Sequence, residues 1–249
     1  MAANTMDIRI VGLAGLPEVR SGDDIAGLVL AAAAHAGETI APETIVIVAQ
    51  KIVSKSESAI VNLDEIQPSE FALKWASQWG KDGRFIELVL RQSRRIVRMD
   101  RGVLITETHH GFVCANSGVD QSNVPGENFA TILPTDPDAS AHTLQNRLKC
   151  GAVLITDSFG RPWREGLVNV AIGVSGIEPL EDCRGALDRD GHVLKATIIA
   201  RADELASAAG LVMKKADGVP VALIHGFQWP RAEGSSGPLI RRRELDLFR

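Results

Sequence analysis

Three short apolar runs constrain this chain more than any other feature: Ile-Val-Ile-Val-Ala at 45–49, Ala-Val-Leu-Ile-Thr at 152–156 and Val-Ala-Leu-Ile at 221–224. None alternates apolar with polar residues as a strand with one wet face would, so each is expected to be a buried strand. Burying them takes a full core, and 249 residues with 45% hydrophobic content can supply one. That length fits one large domain or two intertwined smaller ones.

The remaining elements follow from periodicity and turn chemistry. A first strand is expected at 7–11, before a Gly- and Pro-containing loop at 12–19 whose glycines match neither a dinucleotide fingerprint nor a phosphate loop. Ser21 is positioned to cap a helix with an apolar stripe at Ile25, Leu28, Val29, Ala32 and Ala36, ended by Gly37. Helices are expected at 69–79 and 84–93, with Trp75 and Trp79 in the core, followed by a hairpin of residues 94–101 and 103–107. Asp136 opens a helix reaching about Cys150, and strand 152–156 is expected to end in a loop at 157–166. A strand at 167–174, an irregular stretch at 177–192, a helix at 195–209 ended by Gly210 and a turn at 213–220 precede the last apolar run. Residues 228–249, rich in Pro, Gly and Ser and then charged, read as a surface tail.

Composition excludes several classes. A net charge of −4, from 27 basic and 31 acidic residues, gives no footprint for nucleic acid. Cys114, Cys150 and Cys183 are odd in number and lack CxxC spacing, which argues against a disulfide framework or a structural zinc site and for a reducing cytoplasm. No apolar run approaches membrane-spanning length, so no membrane association is expected, and the short polar N-terminus reads as unprocessed.

The chemistry concentrates in two loops, 107–126 and 157–166. His109 and His110 invite a metal reading, but neighbours on an extended chain point to opposite sides and cannot share one ion. They and Glu107 are better placed to contact an anionic or heteroaromatic substrate. Asp120 and Asp157, each read as sitting in a turn beside a hydroxyl or amide residue, Asn123 and Ser158 respectively, are hard oxygen ligands suited to Mg2+ or Mn2+. Lys51 and Lys55 share a face at the end of an apolar strand, and with Lys214 and Lys215 they are candidate phosphate ligands. A Ser-His-Asp hydrolase is disfavoured because no GxSxG elbow precedes a helix.

Six segments in order, Leu16-Pro-Glu-Val19, Gln50-Lys-Ile-Val-Ser-Lys55, Glu107-Thr-His-His-Gly111, the run 116–123, the run 157–164 and Ala202-Asp-Glu-Leu205, resemble the coenzyme F-420 gamma-glutamyl ligase family over about residues 8–227. The resemblance implies an α+β fold of the family's own, with mixed sheets, flanking helices and two intertwined subdomains, in a homodimer. It implies a cytoplasmic GTP-dependent ligase that joins L-glutamate to a deazaflavin coenzyme precursor through an acyl phosphate, releasing GDP and phosphate, and that can extend a gamma-linked glutamate chain. Leu16, Pro17, Glu18, Val19, Gln50, Lys51, Lys55, Asn123 and the turn Met213, Lys214, Lys215, Ala216, Asp217, Gly218, Val219 and Pro220 would touch the nucleotide. Asp120, Asp157 and Ser158 would hold Mg2+ or Mn2+, with K+ as an accessory cation, and Glu107, His109 and Arg161 would wall the substrate. Lys214-Lys215 departs from archaeal-type members, which place a glycine and then an acidic or amide residue there; a protonated lysine ligates no metal but can contact phosphate. The nitroreductase-like extension of some bacterial members is not expected here. Two rival readings remain: a catalytically silent nucleotide- or deazaflavin-binding subunit, and a metal-dependent phosphohydrolase.

Overall fold

The computed structural model describes residues 7–124, 126–214 and 217–247. The chain opens with β1 (Arg9–Leu13), α1 (Ile25–His35), β2 (Ile45–Ala49) and α2 (Gln50–Ser56). A second stretch follows: β3 (Ile60–Asn62), α3 (Glu70–Trp79), α4 (Gly83–Arg91), β4 (Ser93–Asp100), β5 (Val103–Thr108), β6 (Val113–Ala115) and β7 (Phe129–Thr131). Then come α5 (Pro137–Leu148), β8 (Ala152–Arg161), β9 (Arg164–Ser175), the short pair β10 (Glu181–Asp182) and β11 (Ile198–Ile199), α6 (Arg201–Met213) and β12 (Val221–His225). The class is α+β, as expected.

The three apolar runs become neighbours in one five-stranded sheet of order β1-β12-β2-β8-β9. Only β2 and β8 run parallel; the other pairs are antiparallel. Val46, Val48, Val153, Ile155 and Leu223 pack under α1 and α5, while Ile45, Ile47, Leu154 and Ile224 pack under α6 on the opposite face. With helices on both faces, successive residues are buried alternately against different layers, so the strand can be apolar throughout. Each such side chain contributes roughly 1.5–3 kcal/mol of burial.

The segment bracketed by the antiparallel pair β3–β7 forms a second layer. Here the three-stranded sheet β4-β5-β6 and helices α3 and α4 enclose their own cluster, including Leu63, Ala72, Ile86, Val89 and Leu104. Trp75 packs against that cluster, but Trp79 is 44% exposed and is not the core residue its spacing suggested.

Other expectations need correction. Asp24, not Ser21, caps α1, accepting from the Gly27 amide at 3.0 Å, while the Ser21 hydroxyl bonds that of Ser58. Asp157 does not sit in a turn: β8 continues five residues past the apolar run to Arg161, so the expected loop 157–166 is mostly a β-ribbon with β9. The helix expected at 195–209 begins at Arg201 because Ile198–Ile199 pair with Glu181–Asp182. It runs on through Gly210, where a Cβ would lie 3.3 Å from the Asn169 side chain, so glycine there lets α6 approach β9 closely. His109 and His110 lie in the turn after β5, not on a strand. The expected surface tail instead docks: Trp229 Nε1 donates to the Gly176 carbonyl at 3.0 Å, Arg231 bonds the Pro42 carbonyl, and the Ser236 amide donates to Asp138. Among the described residues, no helix is long and apolar enough to cross a membrane.

Candidate functional site

A parallel strand pair places its carboxyl ends side by side, where open α/β sheets hold ligands. Ala49 and Thr156 are register partners at that end of β2 and β8. The chain turns from extended Ala49 straight into α2, which presents Gln50, Lys51 and Lys55; beyond Thr156, β8 supplies Asp157 and Ser158. A cleft of about 1460 Å³ opens there.

Sixteen of the candidate residues line this one cleft. Leu16, Pro17, Glu18 and Val19 form one wall, Gln50, Lys51 and Lys55 another. Asp120 and Asn123 enter from the second layer and Asp157 and Ser158 from β8, and Met213, Lys214, Gly218, Val219 and Pro220 complete the lining. Asp217 pairs with Lys214 at 3.0 Å and does not line the cleft, while Lys215 and Ala216, like Pro125 in the loop 107–126, lie outside the described residues.

The lysines meet carboxylates. Lys51 Nζ donates to Asp120 Oδ2 at 2.7 Å and to the Ser122 carbonyl at 3.1 Å. Lys55, only 4% exposed, pairs with Glu18, whose side chain is 70% exposed. A buried ammonium whose counter-ion sits on an open loop can exchange that carboxylate for another anion without itself moving into water. Burial opposes ionisation of Asp120, but the Lys51 ammonium and the Ser122 amide and hydroxyl outweigh it and hold its carboxyl below the usual range.

On β8, the Asp157 carboxylate accepts from the Ser158 amide and the Ser158 hydroxyl donates to Asn169 Oδ1, both at 2.8 Å. Burial, and then the negative charge of Asp157, push the Cys114 thiol up to about 12, which marks Asp157 as a neighbour of β6 in the second layer. Among the described residues no three His, Cys, Asp or Glu side chains cluster as a closed metal cage. Two carboxylates and a hydroxyl lining one open cleft suit instead a hard cation completed by phosphate and water.

The substrate-wall candidates lie elsewhere. Glu107 pairs with Arg95 at 2.7 Å, His109 Nε2 bonds the Arg91 carbonyl, and Arg161 bonds the Glu165 carbonyl at the ribbon tip; none lines the cleft. Asn169, Ser207, Leu167 and Leu211 do line it and were not anticipated. Asn169 had a usable signal, a lone amide in the apolar alternation of strand 167–174.

Comparison with known proteins was consistent in one direction. A family model described as F420-0:Gamma-glutamyl ligase matches residues 15–226. A protein of Methanothermobacter thermautotrophicus named coenzyme F420:L-glutamate ligase is 46% identical over 252 residues, covering 98% of this chain and 100% of its own. Proteins of the same name from Methanopyrus kandleri and Archaeoglobus fulgidus are 46% and 34% identical, covering 93% and 98% of this chain and 94% and 97% of theirs.

Proposed function

The chain belongs to the F420-0:gamma-glutamyl ligase family, and on that premise we propose that it uses GTP and a divalent cation to join L-glutamate to coenzyme F420-0. The observation that carries the proposal is the convergence of Lys51, Lys55, Asp120, Asp157 and Ser158 on one cleft. At about 1460 Å³ it exceeds the usual 300–1,000 Å³ of a single-ligand pocket and leaves room for a nucleotide beside a second substrate.

In this reading the acceptor carboxylate attacks the γ-phosphorus, the bond to GDP breaks, and an acyl phosphate forms. The amine of glutamate then attacks the acyl carbon, forming the amide and expelling phosphate. Lys55 exchanges Glu18 for a nucleotide phosphate, and Lys51 turns from Asp120 towards the phosphoryl oxygens. Asp120, Asp157 and Ser158 hold Mg2+ or Mn2+, which supplies neutralisation of charge on the transferred group. Positioning and electrostatics do most of the work in such transfers. Repetition on the product would extend a gamma-linked chain, and a homodimer is the expected assembly.

The test supplies GTP, Mn2+, L-glutamate and the non-glutamylated coenzyme and follows GDP by chromatography and product by mass spectrometry. GDP and a product heavier by one glutamyl unit are expected. Phosphate release that ignores glutamate would make the protein a phosphohydrolase, and ligand binding without GDP would make it a silent subunit.

A further inference from the structure

The route by which the chain delivers Asp120 contains an unusual backbone. Asn116, Ser117 and Gly118 are consecutive residues with φ of 53°, 52° and 71°, a left-handed turn closed by the Val119 amide on the Asn116 carbonyl at 2.9 Å. L-residues, which carry a Cβ, resist this region, so something must hold Asn116 and Ser117 there. Asparagine tolerates it best; serine needs a reason.

The reason is a chain of hydroxyls. Ser117 is 2% exposed, and its Oγ lies 2.7 Å from Thr106 Oγ1 and 2.8 Å from Ser93 Oγ. Ser93 spends its one hydrogen on the Val89 carbonyl at 2.6 Å. Each hydroxyl has a single hydrogen, so the direction is fixed: Thr106 donates to Ser117, Ser117 to Ser93, and Ser93 to the end of α4. One serine thus ties the turn to β5, β4 and α4 at once.

The turn also follows directly on β6, which packs against β8, the strand that carries Asp157. Asp120 comes three residues after Ser117. Beyond the turn, Asp120 is held by the paired backbone hydrogen bonds it exchanges with Thr131, at 3.0 and 2.8 Å. The Ser117 peg is the matching anchor on the other side.

We infer that Ser117 is a positioning residue for divalent-cation binding, setting where the Asp120 carboxylate stands relative to Asp157 through the left-handed turn it pegs. The inference rests on the reading of Asp120 and Asp157 as cation ligands. Groups behind a ligand typically change metal affinity by about 10–100-fold when removed, and an effect relayed through backbone belongs at the low end. Ser117→Ala should weaken Mn2+ binding about tenfold, read from the electron paramagnetic resonance of free Mn2+ with GTP present. The Mn2+ concentration for half-maximal GDP release should rise in parallel, with the rate at saturating Mn2+ within about twofold of the parent. Ser117→Gly accepts the left-handed backbone without strain but lacks the hydroxyl, so the same shift there assigns the effect to the peg. Should neither variant fold, Ser93→Ala, which removes the relay's next acceptor, is expected to shift Mn2+ binding in the same direction by a smaller factor.

A folded Ser117 variant, or failing that Ser93→Ala, that binds Mn2+ like the parent and loses only thermal stability would overturn the inference. Asp120→Asn separates the two levels. If it binds Mn2+ like the parent, the ligand reading itself fails; if it loses Mn2+ while the Ser117 variants do not, only the peg fails.

Discussion

The five-stranded sheet and the layer bracketed by β3 and β7 bring a carboxylate to the same cleft by opposite means. Asp157 rides on a strand, with Thr156 and Ser158 on either side of it in register with Ala171 and Asn169. Its place is set by the ladder on either side of it. Asp120 follows a left-handed turn: its backbone is held by the bridge to Thr131, the turn by one buried hydroxyl chain, and its carboxylate by Lys51 and Ser122. The first position rests on a continuous ladder and the second on separate local contacts, so the second layer is where single substitutions reach the site most directly.

The largest effect expected is on turnover. Asp157→Asn and Asp120→Asn should each lower Mn2+-dependent GDP release by about a thousandfold, near 4 kcal/mol in barrier, the scale of removing a preorganised electrostatic contact. Steady-state assays with circular dichroism as a folding control decide this, and substantial activity in either variant removes that residue from the ligand set. Next comes stability. Leu154 and Leu104 are both fully buried, one in each region, and truncation to Ala should cost about 2–5 kcal/mol in either place. Urea unfolding of Leu104→Ala followed by tryptophan fluorescence, which includes Trp75 and Trp79 of the second layer, should run ahead of the far-ultraviolet signal. Coincident transitions would show the two regions to be one cooperative unit and break the contrast.

A smaller effect tests the tie between regions. Lys51 extends from the end of β2 to Asp120, so Lys51→Ala should raise the GTP KM by about tenfold. An unchanged KM would leave Lys51 as an ion pair only. The smallest effect lies at the far end of the sheet. Burial and then the Arg9 charge lower the His225 pKa, with Glu38 opposing them. The unfolded chain therefore takes up a proton more readily than the folded one. The stabilisation is complete above the unfolded value of 6.5 and is lost as pH falls through 6.5 towards the lower folded value. Thermal denaturation of His225→Gln across that window should show a flatter slope than the parent; an identical slope would clear His225 of the effect.

Much of this was readable from residue order, and the failures are physical. Ile45–Ala49 and Val221–His225 announced themselves because burial on both faces leaves no polar residue in the run. The far half of β8 did not, because from Asp157 onward the strand is half-buried and then exposed, and polar residues and a glycine break the apolar run around Phe159. Gly210 was read as a helix end when its role is close packing against Asn169, which a sequence cannot distinguish without the partner. Lys51 and Lys55 drew notice at the end of an apolar run and Asp120 and Asp157 as carboxylates read in turns; all four line the cleft, although Asp157 does so from within β8. Ser117 was not, since its hydroxyl matters only through Ser93 and Thr106, 24 and 11 residues away. Glu107 and His109 drew notice by chemical type, yet their partners are Arg95 and a helix-end carbonyl.

The sheet order carries one more consequence. β12, made of residues 221–225, lies between β1 and β2, so the first two strands of the sheet cannot be joined until those residues have left the ribosome. Until then β1 has no neighbour and β2 keeps an open edge against its only partner, β8. Such long-range pairing folds slowly and leaves adhesive edges exposed in the meantime. A nascent chain of this topology has reason to need a chaperone's shelter, and a cut between β1 and β12 would divide the strands of one sheet between two pieces.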